Sequence, residues 1–167
     1  AQVLLAVIAS MYAVYHGPDG LRHIAKGVHR RAAVLAAGLR KLGKAPLHDT
    51  FFDTVTVAAA ATDISALRPR AKTERINLRF DASSVSIAVD ETTSAETIEA
   101  VWRIFGGELS YAEIEKSAND ALPAALARRT AFLTHPVFHK YRSETELLRY
   151  MRKLADRDLA LDRAMIP

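Results

Sequence analysis

The spacing of the apolar residues changes from a helical to a strand-like period near residue 50. This change restricts the possible folds more than any other feature of the sequence does. From Pro18 onward apolar residues recur every three or four positions, which predicts one long amphipathic helix ending at Gly43. The stripe consists of Leu21, Ile24, Val28, Ala32, Leu35, Leu39 and Leu42. Three later stretches alternate between apolar and polar residues, which is typical of strands buried on one face. They run from Phe51 to Val57, from Ile76 to Phe80 and from Val85 to Val89.

Helices are predicted before, between and after these strands. The stretch from Ala1 to His16 is apolar almost all round, so we expect a buried helix that ends at Gly17. A short helix from Asp63 to Thr73, begun or broken by Pro69, separates the first two strands. A Ser or Thr followed three residues later by Glu forms a capping box and marks a helix start. Such boxes occur at Thr93 with Glu96, Ser110 with Glu113 and Ser143 with Glu146.

The order of these elements predicts the fold class. The short polar link from Asp81 to Ser84 makes the second and third strands antiparallel neighbours. We expect an α+β fold, with a small antiparallel-type sheet, helices on one of its faces, a long N-terminal helix and a helical C-terminal linker. The last helix is expected to turn its apolar stripe inward, with Leu147, Leu148, Met151 and Leu154.

Composition excludes several classes of protein. With 167 residues, half of them hydrophobic, the chain can bury a core of its own. The absence of cysteine excludes disulfides, thiol nucleophiles and cysteine-based metal sites. The longest apolar run, from Ala1 to Tyr15, is too short for the roughly 30 Å hydrocarbon core of a bilayer and lacks the basic start of a secretory signal. The net charge of +4 comes mostly from scattered arginines, so nucleic acid is not expected as a partner, and the short apolar run argues against a membrane.

The two ends of the sequence predict a piece of a longer polypeptide. The first residue is Ala1 rather than Met, and its apolar stretch begins without a capping residue. The chain stops at Pro167, directly after an apolar ending.

Candidate chemical groups are few. His135 and His139 stand four residues apart and could meet as metal ligands, but Pro136 disfavours a helix there and the pattern lacks the Glu of a zinc helix. Two ordinary loop histidines are therefore favoured, and no metal site is expected. Gly106 and Gly107 end a helix rather than open one, which argues against a phosphate-binding loop. All seven lysines have charged, solvated surroundings in the sequence, so none is expected to be an activated amine.

Several segments together resemble one family. They include F-F-D-T-V-T-V at Phe51 to Val57, D-E-T-T at Asp90 to Thr93 and S-E-T-E-L-L-R-Y-M at Ser143 to Met151. Further segments are A-Q-V-L-L-A at the start, M-Y-A-V-Y-H-G-P-D-G-L from Met11, I-N-L-R from Ile76, F-L-T-H-P-V-F from Phe132 and D-L-A-L-D-R-A-M-I-P from Asp158. With these motifs the chain resembles, from end to end, the P protein of the glycine cleavage system. It departs from the pattern at Arg142, where His is frequent, and at Arg75, where Gly commonly precedes I-N-L-R.

The resemblance implies a much longer, pyridoxal-phosphate-dependent glycine dehydrogenase (decarboxylating) built of two related halves. That enzyme decarboxylates glycine, with the cofactor as electron sink, and passes the aminomethyl group to the lipoyl arm of H protein. The present chain resembles the small C-terminal domain of the first half, in the fold of type I pyridoxal-phosphate enzymes. The lysine that binds the cofactor belongs to the second half, so this chain is expected to be inactive alone, with no catalytic and no cofactor-binding residue.

The resemblance also divides the chain and points to a candidate site. Residues 1–43 are expected to lead into the small domain, 44–122 to form it, and 123–167 to link it to the catalytic half. Residues expected at the pocket entrance are Thr134, His135, Pro136, Ser143, Glu144 and Thr145. Expected partners are the second half or a separate catalytic subunit, lipoylated H protein, glycine and further copies of the chain. Its location would be the cytoplasm of a bacterium or the mitochondrial matrix of a eukaryote. The alternative is a noncatalytic interaction domain that docks on a partner subunit.

Overall fold

The computed structural model describes residues 2–165. Ala1, at the start of the first predicted helix, and Ile166 and Pro167, at the end of the last motif, lie outside the described residues. The chain forms two compact units, one made of Ala1–His23 with Arg129–Pro167 and the other of Ile24–Arg128. The expected boundaries after residues 43 and 122, and the roles of the three parts, stay a prediction.

The second unit contains a three-stranded antiparallel sheet, so the predicted α+β class is confirmed. Its strands are β1 (Thr54–Ala58), β2 (Arg79–Phe80) and β3 (Ser84–Ala88), in the order β1-β3-β2. Val55 lies opposite Ile87, and Phe80 lies opposite Val85. The predicted antiparallel pairing of the second and third strands is therefore confirmed.

Residues 2–165 form five α-helices. They are α1 (Gln2–Lys41), α2 (Ala61–Thr73), α3 (Ala95–Ile104), α4 (Tyr111–Glu115) and α5 (Glu144–Ala155). Two 3₁₀ turns, Ala124–Leu126 and Pro136–His139, precede α5. The helix α1 is interrupted at Gly17, whose φ of 59° is not helical, as the predicted stop there requires. In the described part of the chain, none of the helices combines the length and the apolarity that crossing a membrane needs.

The core of the second unit lies on one face of the sheet. Val55, Val57, Val85 and Ile87 are buried there, together with side chains of α1, α2 and α3. Trp102 of α3 is fully buried, and its indole N–H donates to the backbone oxygen of Leu35 at 3.1 Å. The residues between them carry hydroxyl groups instead, and Thr56 Oγ1 lies 2.9 Å from Ser86 Oγ. The alternation that predicted the strands is thus the alternation of core and opposite face.

Two predicted burials are wrong. The apolar side chains at the start of α1 are exposed rather than buried, and Val3 and Leu5 keep 70% and 69% of their surface. Leu148 and Met151 of α5 are also exposed. A helical stripe shows which side chains share a face, but an element must pack on that face to bury it. Within the described part of the first unit, nothing covers these side chains.

The predicted strand lengths and helix starts need smaller corrections. Only Arg79 and Phe80 of the second predicted strand pair with β3. The helix α2 runs through Pro69 instead of starting or breaking there. Pro69 has no N–H to donate to the carbonyl oxygen of Ser65, but Ser65 is exposed, so water can bind that oxygen instead.

The capping boxes illustrate how neighbours compete for one hydroxyl group. Thr93 Oγ1 accepts from Asp90 N at 3.0 Å, so Ser94 caps α3 in its place, accepting from Thr97 N at 3.2 Å. The predicted helix start at Ser110 is confirmed without a side-chain cap, because Glu99 Oε1 accepts from Tyr111 N at 2.7 Å. This helix ends at Glu115.

At Ser143 the predicted cap is confirmed, with Glu146 N donating to the Ser143 hydroxyl at 3.3 Å. The Ser143 hydroxyl in turn donates to Glu146 Oε2 at 3.1 Å.

Candidate functional site

The loop before α5 carries three of the expected pocket-entrance residues. His135 caps the 3₁₀ turn Pro136–His139, and its Nδ1 accepts the N–H of Val137 at 3.2 Å. Pro136 suits the first position of this turn because that position needs no N–H donor. Thr134, His135 and Pro136 are all exposed. The turn therefore presents these residues to solvent, with the Nδ1 of His135 already engaged.

The second histidine of the loop, His139, is hydrogen-bonded to the backbone of the loop. His139 Nε2 donates to the carbonyl oxygen of Leu133 at 2.9 Å, and its Nδ1 accepts from Arg142 Nη2 at 3.4 Å. Leu133 has a φ of 50°, in the left-handed region that costs an L residue roughly 1–2 kcal/mol. Both ring nitrogens of His139 therefore serve a strained loop. Among residues 2–165, no group of three or more His, Asp or Glu side chains is arranged to hold a metal ion.

The interruption of α1 provides the surface on which this loop packs. Gly17 has φ 59° and ψ −176°, a conformation open to glycine and hardly to other residues. A Cβ at this position would lie 2.5 Å from the Phe138 oxygen and 2.8 Å from Arg142 Cζ. Arg142 Nη2 also donates to the Phe138 oxygen at 3.0 Å. Arg142 departs from the family pattern. Its side chain thus connects two parts of the same loop, and this contact lies beside Gly17.

An open cleft with a volume of about 400 Å³ lies at the start of α5. It is lined by Tyr15, Glu144, Leu147 and Leu148. Of the six expected entrance residues, Glu144 lines this cleft; Ser143 caps α5 and Thr145 is exposed. Tyr15 was not predicted to line a cleft, because an aromatic residue in an apolar stretch carries no signal of a cleft at a helix that begins at Glu144.

The D-E-T-T motif forms the turn between β3 and α3. Asp90 Oδ1 accepts from Thr92 N at 2.9 Å, Thr92 Oγ1 at 2.8 Å and Thr93 Oγ1 at 3.0 Å. The hydrogen bond from the Thr92 side chain, followed by that from Thr93, lowers the pKa of Asp90. The carboxylate is therefore ionised at neutral pH and occupied with its own turn.

The lysines do not form a site for pyridoxal phosphate. A lysine that binds this cofactor is normally activated by burial or by nearby charge. Lys44 is half-buried and lies 3.4 Å from Asp63, whereas the other six lysines are exposed. The residues present in the described part of the chain therefore do not fit the cofactor.

The described residues thus form an α+β fold with a three-stranded antiparallel sheet and a capped, polar loop before the last helix. The family model of the glycine cleavage system P-protein matches residues 1–105. The chain belongs to this family.

Curated relatives match over the whole chain. It is 71% identical over 167 residues to "Glycine dehydrogenase (decarboxylating)" of Bradyrhizobium sp. strain BTAi1. It is 64% identical over 168 residues to the protein of that name from Nitrobacter hamburgensis, and 58% identical over 172 residues to that from Gluconobacter oxydans. All of this chain is covered in each case, but only 17%, 17% and 18% of the relatives. The chain thus spans about a sixth of their length.

Proposed function

We propose that the chain is a segment of a glycine dehydrogenase (decarboxylating), the P protein of the glycine cleavage system. The identity of 71% over the full chain to a protein of that name is the observation that carries this proposal. The longer protein would decarboxylate glycine and transfer the aminomethyl group to the lipoyl arm of H protein. Pyridoxal phosphate would supply the electron sink in that reaction.

The role proposed for the segment itself is structural. Its exposed lysines support this role, because they do not fit the cofactor, which would be held elsewhere in the longer protein. The small antiparallel sheet with helices is compatible with the small C-terminal domain of a type I pyridoxal-phosphate enzyme. The proposed partners are the other half or a separate catalytic subunit, lipoylated H protein, glycine and further copies of the chain. The bacterial relatives support a cytoplasmic location.

The loop of Thr134, His135 and Pro136, with the helix start of Ser143, Glu144 and Thr145, is proposed to border the pocket entrance. Two observations support this assignment. The neighbouring Leu133 is held in a strained conformation, and such strain is concentrated at functional sites. Glu144 lines a cleft with Tyr15, so a polar group is already placed beside an apolar surface.

The second candidate is a noncatalytic interaction domain that docks on a partner subunit. The exposed apolar side chains at the start of α1 favour it, because exposed apolar patches mark interaction sites. The two candidates differ in one measurable respect. A docking domain would affect assembly alone, whereas an entrance loop would also affect turnover per assembled enzyme.

Replacing His135 with Ala in the longer parent enzyme is the test. We expect turnover to fall several-fold while the midpoint of thermal unfolding changes little, because His135 is exposed and caps only a short turn. The measurement is glycine–bicarbonate exchange with and without H protein, normalised to folded enzyme. His48→Ala, at another exposed histidine, is the control. Unchanged exchange in both assays would remove His135 from the site, and a typical loss of about 1 kcal/mol in stability alone would make the loop purely structural.

A further inference from the structure

An open cleft with a volume of about 350 Å³ lies between α2 and the strand β2, far along the chain from the entrance loop. Its apolar part consists of Ile76, Leu78 and Phe80, which are half-buried against the core. Its charged part consists of the exposed cations Arg68, Lys72 and Arg75.

The three cations have no acidic partner within residues 2–165. The acidic residues near them in the sequence are engaged elsewhere: Asp63 with Lys44 at 3.4 Å, Glu74 with Arg103 at 3.0 Å, and Asp81 with Arg79 at 3.3 Å. Arg68 lies over the ring of Phe80, with Cζ 4.6 Å from the ring centre. Lys72 stands four residues after Arg68 on α2, where like charges repel each other. An anion in the cleft would relieve this repulsion.

Arg75 occupies a position that normally favours glycine. It follows α2 with a φ of 56°. Its N–H donates to the Lys72 oxygen at 3.2 Å, and the next N–H, of Ile76, donates to the Ala71 oxygen at 2.9 Å. This pair of bonds is the Schellman motif, in which glycine has the lowest cost. The third cation of the cleft therefore lies at a position with a backbone cost for an L residue.

The cleft borders an open edge of the sheet. In the order β1-β3-β2, the outer side of β2 has no neighbouring strand among the described residues. Asp81 N donates to the Ser84 oxygen, so Phe80, the next residue along β2, turns its N–H and C=O away from β3. The opposite edge is different, because Pro46 pairs with Val57 there and Leu47 N donates to the Thr56 oxygen at 2.8 Å.

We propose that this cleft binds an extended acidic segment of a partner protein, which adds a strand to the free edge of β2. The backbone of β2 would supply hydrogen bonds, as in other cases of strand addition. Alternate side chains of the segment would face the cleft, where carboxylates meet Arg68, Lys72 and Arg75 and apolar groups meet Leu78 and Phe80. This proposal does not depend on the enzyme activity proposed above.

The test uses a short fluorescein-labelled peptide of alternating Glu and Val and its counterpart of alternating Lys and Val. Fluorescence anisotropy with the full 167-residue chain should show binding of the acidic peptide only, weaker at higher salt. Lys72→Glu should weaken binding about tenfold or more. Arg40→Glu, at an exposed arginine outside the cleft, is the matched control and should leave it unchanged.

Arg75→Gly separates binding from folding. This change removes a charge and also relieves the left-handed backbone, so we expect weaker peptide binding, by about threefold, together with a higher midpoint of thermal unfolding. Peptide binding should also slow hydrogen exchange of the Phe80 amide, since strand addition engages the free N–H of the edge.

Any one of the following results would overturn the proposal. They are equal binding of both peptides, no effect of Lys72→Glu, an unprotected Phe80 amide in the complex, and displacement of the peptide by inorganic phosphate at low millimolar concentration, which would indicate a small-anion site. Binding to the 167-residue chain but not to the longer parent would mean that the parent's own chain covers the edge, and the assignment to a partner protein would then be wrong.

Discussion

Gly38 lies directly against the side chain of Trp102 in the core of the second unit. A Cβ at Gly38 would meet the indole ring of Trp102, which is fully buried and tied to Leu35. Gly38→Ala should therefore destabilise the chain by about 1–3 kcal/mol, since overpacking outweighs the gain in helix propensity of about 1 kcal/mol. Urea unfolding measures this, followed by the fluorescence of Trp102, the single tryptophan.

Gly27 of the same helix is the matched control. A Cβ there would approach only the flexible end of Arg31, at 3.1 Å. Gly27→Ala should therefore leave stability unchanged or raise it by up to about 1 kcal/mol. A loss of stability in both variants would show that glycine itself, and not the Trp102 contact, matters along α1.

Glu74 and Arg103 join the end of α2 to α3 through two hydrogen bonds, of 3.2 and 3.0 Å. The hydrogen bond from Arg103 lowers the pKa of Glu74 below its ordinary value of 4.5. A lowered folded-state pKa adds stability above the unfolded-state value, and that stability is lost as the pH falls through the folded-state pKa. Glu74→Gln should therefore flatten the loss of stability below about pH 4.5 in thermal unfolding at several pH values. Glu113→Gln, at an exposed acid, should keep the wild-type profile, and equal profiles for all three proteins would contradict this role.

Among the helices, α1 begins with a run of large apolar side chains that are exposed. Leu5 and Ile8 keep 69% and 54% of their surface. We expect the 167-residue chain to self-associate through this helix, because water disfavours such a surface. Changing Leu5 and Ile8 to Glu should lower the oligomer size in light scattering without altering the circular dichroism of the folded chain. Ser10→Glu adds a charge on the same helix as a control, and a wild-type chain that stays monomeric at high concentration would refute the prediction.

The elements also show how far local sequence predicts this fold. Helix ends at Gly17, Gly43 and Ser143 depend on neighbouring residues, so the sequence predicts them well. The cap by Glu99 on Tyr111 and the fit of Trp102 beside Gly38 join residues far apart in the chain. Such contacts follow from tertiary packing, which a periodic pattern does not contain. The candidate site divides in the same way, since Ser143 was predictable as a cap and Tyr15 was not.

At the scale of the whole molecule, the chain alone should not catalyse glycine decarboxylation. Six of its seven lysines are exposed, and the half-buried Lys44 is paired with Asp63 at 3.4 Å, so none is expected to react selectively with pyridoxal phosphate. The chain is mixed with the cofactor and glycine, treated with borohydride and digested for mass spectrometry, while released carbon dioxide is measured. We expect no carbon dioxide and only scattered, weak labelling. Labelling of a single lysine together with glycine-dependent carbon dioxide would place catalysis within this chain.

The pairing of Pro46 with β1 has a consequence for aggregation. A sheet with two open edges can add strands on both sides and grow into a fibril. Here Pro46 and Leu47 pair with part of the β1 edge, at Val57 and Thr56, whereas the outer side of β2 has no neighbouring strand in the described residues. Two such sheets that met edge to edge would use up both open strands, and growth would stop at a pair. The pairing of Pro46 with Val57 is thus expected to limit edge-to-edge association of this sheet to a pair.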